Sequence, residues 1–234
     1  MPVGVITNVL SVFIGGIIGY LLRKRFSESL KASLNGAFGL AALVIGISLL
    51  DGMHSLSAVI LALLVGGGSV GDVLKLEDRA CRGIGTLTRK IPWFSGMDEK
   101  KTEALISVLI LIFTSTTGIF GAMNEGITGD HSVLLTKSIL DFFTAAIFAA
   151  NVGIIVPFIC IPQLALQMAL FLSGNTISVF LSDTMIGDFK ACGGIIIIAV
   201  GFKILNAYRF KVLNFLPALA LVLPISYYWM RFIG

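Results

Sequence analysis

Lys137 and Asp141 stand four residues apart inside the apolar stretch 134–150. On a helix that spacing sets both side chains on one face, within reach of each other. In a bilayer a charged side chain costs about 2.5–3.5 kcal/mol on insertion scales. A chain that keeps a cation and an anion there needs them for pairing, or for something that moves past them. The pair therefore reads either as a structural ion pair or as a proton or ion relay or substrate counter-charge. Protonating Asp141 would free Lys137 to meet an anionic group or to lose its own proton, so one site could couple two events.

A second polar feature lies just upstream. Thr114, Ser115, Thr116 and Thr117 form a run of hydroxyls, followed by Gly118, Gly121, Asn124, Glu125 and Gly126. Hydroxyls bond back to carbonyls one turn earlier and bend a helix, and the glycines let it unwind. Irregular backbone at membrane depth is tolerated only inside protein or beside a water-filled cavity. These residues can thus line a path for a substrate or ion, or serve interhelical hydrogen bonding and close packing. Asn8, between Thr7 and Ser11, puts a polar group into the first apolar stretch and joins Lys137, Asp141, Thr114, Ser115, Thr116, Thr117, Asn124 and Glu125 as a candidate site residue. Gln163 and Gln167 share one face near Pro157 and Pro162, and Asn151 with Gly153 marks a break; packing accounts for each of these alone.

Other chemistries find no support. His54 and His131 have no ligand cluster around them, so neither a metal site nor any cofactor is expected. Cys81, Cys160 and Cys192 make no paired motif and read as free thiols. Gly66–Gly71 lacks the Gly-Lys-Ser/Thr of a phosphate loop. Ser138 beside Lys137 is a poor dyad, because adjacent helical residues point about 100° apart. The chain is not expected to be an enzyme.

The elements that hold these residues are apolar. Hydrophobic residues make up 56% of the chain and charged ones 13%, against about 25% charged in soluble proteins; mean hydropathy is +0.98. Continuous apolar runs exclude the alternating pattern of a barrel. The expected fold is an all-α polytopic membrane protein, a single transmembrane domain over residues 1–234. About eight transmembrane helices are expected, at 3–22, 34–50, 55–71, 104–123, 133–150, 152–172, 190–206 and 212–232; the near absence of a loop at Asn151 leaves seven open. The first stretch has no basic residues before it and Arg23, Lys24 and Arg25 after it, so it is not expected to be a cleaved signal peptide.

Basic residues orient the spans. Arg23, Lys24, Arg25 and Lys31, then Lys75 through Lys101, then Lys203, Arg209 and Lys211 fall on one side of an eight-span arrangement. Asp51, His54, Glu125, Asp130, Asp183 and Asp188 fall towards the other, where Lys190, at the start of the seventh span, is the one basic residue. The positive-inside rule then puts both termini outside the cytoplasmic (inner) membrane of a prokaryote. The connector 72–102 interleaves basic and apolar residues and reads as amphipathic helix on the cytoplasmic membrane surface, with Trp93 and Phe94 as anchor. Its partner is membrane lipid; no nucleic-acid partner is expected. Gly15, Gly16, Gly19, Gly66, Gly67, Gly68 and Gly71 read as close helix contacts, and such glycine-rich faces suggest a homodimer.

An internal similarity stands out. Gly39 and Gly46 are seven apart with aliphatics between them, as are Gly194 and Gly201, and Asp51 and Asn206 follow. An offset of five spans reverses direction, so spans 1–3 and 6–8 can form an inverted repeat around a central helix pair, an architecture many secondary transporters use. Chance recurrence of glycine in apolar spans is the alternative.

Several strings resemble a known family. They are Asn8 with Gly15, Gly16 and Gly19; Gly66–Gly71 followed by Asp72, Glu77, Asp78 and Arg79; Gly121-Ala122-Met123; Glu125-Gly126 with Gly129, Asp130 and His131; Leu135, Lys137, Leu140 and Asp141; and Asn214 with Leu216, Pro217 and Ala218. Over nearly its whole length the chain resembles the YqgA-like prokaryotic inner-membrane proteins, domain of unknown function 554. The resemblance implies a cytoplasmic-membrane protein of the kind usually guessed to be a transporter, with no substrate assigned. The functional expectation is a secondary transporter of a small solute or ion, proton- or cation-coupled through the Lys/Asp pair. A passive channel, or a scaffold or sensor acting through the connector, is the alternative.

Overall fold

The computed structural model describes residues 1–23, 28–90, 115–208 and 210–233, which form helices joined by short turns, with no strand among them. In chain order the helices are α1 (Val3–Leu21), α2 (Glu28–Ser48), α3 (Leu56–Leu74), α4 (Leu76–Lys90), α5 (Thr116–Thr128), α6 (Ser132–Val152), α7 (Val156–Ser178), α8 (Asp183–Ile204) and α9 (Val212–Phe232). Six of them, α1, α3, α6, α7, α8 and α9, are long and apolar enough to cross a membrane. α2 has 21 residues, and its apolar part is Gly39–Ser48.

The expected span at 104–123 differs. Residues up to Thr114 lie outside the described part, as do Trp93 and Phe94. The described remainder is helical from Thr116. Ser115 is extended (φ −67°, ψ 100°) and its hydroxyl accepts the Gly118 N–H at 3.4 Å, an N-cap. The start of α5 therefore lies within the hydroxyl run and not at the glycines behind it: a Ser side chain replaces the missing backbone partner of the first turn.

Close approaches fix the relative directions of the helices. Gly15 of α1 lies against the Phe142 backbone of α6 and Gly19 against Ala146, so these two run in the same sense. α5 and α7 also run together, with Gly118 facing Gln167 and Gly126 against Phe171. α2 and α8 run oppositely. A Cβ on Gly46 would lie 2.6 Å from the Gly194 carbonyl oxygen, a Cβ on Gly194 would lie 2.6 Å from that of Gly46, and one on Gly201 would lie 3.0 Å from that of Gly39. The two similar glycine strings thus pack on each other, backbone to backbone. α3 and α9 are likewise opposed, with Gly66 on Ala218 and Gly71 on Asn214. α3 widens to a π-helix over Leu63–Gly71 at this contact, and sequence reading gave no sign of it. The glycine faces that suggested a dimer are largely taken up inside the protomer: Gly15, Gly16, Gly19, Gly66, Gly67 and Gly71 all meet helices of the same chain, while Gly68 has open space.

Polar clusters tie the connectors at each end. Asp188 is fully buried and accepts the His54 and Ser55 N–H groups, both at 2.8 Å, and the Ser226 hydroxyl at 2.6 Å. On the opposite end Glu77 of α4 accepts Lys203 Nζ at 2.7 Å and the Leu213 N–H at 3.2 Å, while its own N–H donates to Asn214 Oδ1 at 2.9 Å. Lys211 pairs with Asp78 at 3.0 Å. The connector helix α4 is thereby held to the α8–α9 loop, at the same end of the bundle, as the charge pattern required.

Candidate functional site

The polar residues of α1, α6 and α7 meet at one level. Helices rise about 1.5 Å per residue. Asn8, Lys137, Asp141 and Gln167 therefore lie about 7–17 Å from the helix ends at the Asp130 side, a quarter to a half of the thickness of a hydrocarbon core of about 30 Å. Thirteen residues of α5 put its first turn about 20 Å from that same side.

Lys137 Nζ donates to Asp141 Oδ2, and Asn8 Nδ2 donates to the same oxygen at 2.8 Å. Asn8 Oδ1 accepts from Gln163 Nε2 at 2.8 Å and from Gln167 Nε2 at 2.7 Å. Asn8 is 0% exposed, Gln163 2%, Lys137 4% and Gln167 4%. Close backbone contacts create the room: Gly15 and Gly19 bring α1 onto α6, so that Asn8 reaches Asp141.

This network is directional. An ionised carboxylate accepts only. Asn8 must then present its amino group to Asp141 and its oxygen to the glutamines. Both glutamines must answer with their amino groups, which turns Gln163 Oε1 and Gln167 Oε1 away from Asn8. Neither oxygen has a hydrogen-bond partner. Both residues line a small cavity of about 10 Å³, room for a single water-sized group, with Ser115, Gly118, Ile119, Leu166 and Leu170. The start of α5 thus borders the cavity and brings the positive end of a helix dipole to it. Lys137 is adjacent: a Cβ on Gly118 would lie 3.0 Å from Lys137 Cε and 3.5 Å from Gln167 Nε2.

The sequence candidates separate into two groups. Asn8, Lys137 and Asp141 come together, with Ser115 at the neighbouring cavity and Thr117 buried in the same first turn of α5. Thr114 lies outside the described residues, and of Thr116 only the backbone is described, opening α5. Asn124 and Glu125 lie at the other end of α5. Asn124 Nδ2 donates to the Asp130 carbonyl at 3.2 Å. Glu125 accepts the Gly4 and Val5 N–H groups that open α1. Gln163 and Gln167 join the site although packing alone explained them in the sequence; their i, i+4 spacing was the available signal.

A family model described as "Protein of unknown function (DUF554)" matches residues 3–227, which include every residue of this network. The chain belongs to this family. It is 40% identical over 235 residues to "Uncharacterized protein YqgA" of Escherichia coli (strain K12), covering 98% of each chain. It is 25% identical over 236 residues to "Uncharacterized membrane protein YdfK" of Bacillus subtilis (strain 168), covering 99% of this chain and 98% of the relative. No solved structure matches the chain significantly. Membership of the family and the six long apolar helices make this a membrane protein. The family brings no substrate, so the chemistry has to be argued from the network itself.

Proposed function

We propose that the protein is a secondary transporter that moves a small solute or ion across the cytoplasmic membrane, with both termini outside. Asp141 is its proton site and Lys137 the counter-charge. The observation that carries this reading is the chain Lys137–Asp141–Asn8–Gln163/Gln167, buried except for the partly exposed Asp141, ending in a small cavity beside the start of α5. A lone structural ion pair needs no such extension. Helix ends that face a cavity are a recurring way to bind substrate in transporters.

The packing pattern supports an inverted repeat behind it. Exchanging α1, α2 and α3 for α7, α8 and α9, and α6 for α5, turns each close contact into another. The parallel α1–α6 pair becomes α7–α5, and the Gly39/Gly46 face of α2 becomes the Gly194/Gly201 face of α8. Two halves related in this way can rock about a fixed central site to expose it alternately.

The test is reconstitution in liposomes under an imposed pH gradient, with Asp141→Asn beside the wild type. Gradient-driven flux that the variant lacks supports coupled transport. Flux indifferent to the gradient would favour a channel. No flux of any solute from folded protein would turn attention to α4 and a scaffold or sensor role.

A further inference from the structure

We propose that the outward face of α4, together with the last turn of α3, binds an anionic phospholipid of the adjoining leaflet. The inference stands apart from the transporter reading and holds or fails without it.

α4 sorts its charges by face. Glu77 and Asp78 pair with Lys203, in the last turn of α8, and Lys211, in the loop after it. Asp72, near the end of α3, accepts Asn214 Nδ2 at 3.3 Å. Three cations of the same elbow are left over. Lys75, Arg79 and Arg82 are exposed, and among the described residues none of them has a carboxylate within ion-pair distance. Asp78, whose charge also reaches Lys75 and Arg82, is taken by Lys211. Arg79, Arg82, Gly83 and Thr86 follow the spacing i, i+3, i+4, i+7 and so form one helix face, exposed at all four positions. A Cβ on Gly83 would meet nothing within 4 Å, so the middle of this face is open to an approaching phosphate.

The face is fixed in place before anything binds. Glu77 ties α4 to the α8–α9 connection through its own N–H and both carboxylate oxygens. A surface that is already ordered loses little entropy on binding.

What lies beside the charge says which anion fits. α3 is long and apolar enough to cross a membrane, and Val70, Val73 and Leu74 at its end are exposed, Val73 to 78%. Lys75 follows directly, and its left-handed backbone (φ 49°) turns the chain from that apolar surface into α4. An acyl chain fits the first part and a phosphate the second, within one molecule. A soluble phosphate or a nucleic acid would leave the apolar part unused. Each Lys or Arg beside an anionic membrane surface strengthens the attraction about fivefold. The three together give a preference over a zwitterionic lipid of about a hundredfold.

The experiment measures thermal stabilisation of full-length protein, purified in an uncharged detergent, by phosphatidylglycerol and by phosphatidylcholine of the same acyl chains. At low salt, wild type is expected to need about a hundredfold less phosphatidylglycerol for the same stabilisation, and the preference is expected to shrink in high salt. Lys75→Asn, Arg79→Gln and Arg82→Gln combined are expected to remove most of it; asparagine tolerates the left-handed backbone at 75. Arg82→Gln alone is expected to lose about fivefold and serves as the test if the combined variant fails to fold. Lys190→Gln, which removes a cation at the opposite end of the bundle, is expected to keep the preference. Equal stabilisation of wild type by the two lipids overturns the proposal. So does a preference that survives in both α4 variants, or one that Lys190→Gln weakens as much as they do. Equal stabilisation by water-soluble glycerol phosphate or by an oligonucleotide would overturn it too, by showing that the apolar surface plays no part.

Discussion

The Glu125 carboxylate, at the far end of α5 from the cavity, accepts the Gly4 N–H at 2.7 Å and the Val5 N–H at 3.1 Å. Glu125 is 2% exposed, so no water can take its place at the first turn of α1. Glu125→Ala leaves two buried donors unpaired, at about 1–3 kcal/mol each. Thermal unfolding in detergent is expected to show a large drop for Glu125→Ala and a smaller one for Glu125→Gln, which keeps one acceptor oxygen. A melting temperature equal to wild type, with flux abolished, would instead place Glu125 on the transport path.

Gly46 and Gly194 let the α2 and α8 backbones meet. Either residue changed to alanine drives a Cβ to 2.6 Å from the opposite carbonyl oxygen, a backbone atom that cannot rotate away. Overpacking of this kind costs about 1–3 kcal/mol. Because the contacts are reciprocal, Gly46→Ala with Gly194→Ala is expected to cost less than the sum of the two, the helices having already been forced apart. Gly68→Ala meets nothing within 4 Å and is expected to be neutral or stabilising by up to about 1 kcal/mol. Equal melting temperatures for all four proteins would mean that the two helices do not cross there.

Much of this was legible in the chain. Runs of apolar residues located the helices, and the seven-residue glycine spacing picked out two strings that the fold packs together. The i, i+4 spacing of Lys137 and Asp141 and the polarity of Asn8 pointed to the site's centre. The missing parts depend on tertiary contact. Nothing local distinguishes Gln163 and Gln167 from packing amides until α1 lies beside α7 and Asn8 offers them its oxygen. Asn124 and Glu125 looked like path-lining residues because they follow the hydroxyl run. A helix of thirteen residues carries them to its opposite end, where Glu125 caps another helix. Asp188 read as a connector charge and Glu77 only as part of a family string, yet each gathers backbone donors from a distant helix start.

Sidedness is testable by labelling. Asp130 pairs with Lys190 at one end of the bundle, and Tyr208 follows α8 at the other. In a variant lacking Cys81, Cys160 and Cys192, a cysteine at Asp130 is expected to react with a membrane-impermeant maleimide on intact cells. One at Tyr208 is expected to react only after the membrane is opened. The reverse pattern would invert the assignment of both termini, and equal reactivity at both would contradict the separation of these loops to opposite ends.

The latch between α4 and the α8–α9 loop should respond to pH in a definite direction. The hydrogen bond from Lys211 holds the Asp78 carboxyl below its ordinary value of 3.8, and the same bond raises the Lys211 ammonium above 10.5. A depressed carboxylate contributes stability that is fully present above its unfolded value and is lost as pH falls through the folded one. A raised ammonium contributes stability that is present below its unfolded value and is lost as pH rises through the folded one. The pair therefore acts across the whole range between and fades at both extremes. Both groups are exposed, so the effect is modest and is weakened by salt. Backbone hydrogen exchange in α4 is expected to be faster in Asp78→Asn than in wild type at neutral pH and low salt. The difference should vanish once the solution is acid enough to protonate Asp78. A difference that persists in strong acid or in high salt would show that Asp78 holds α4 by packing and not by its charge.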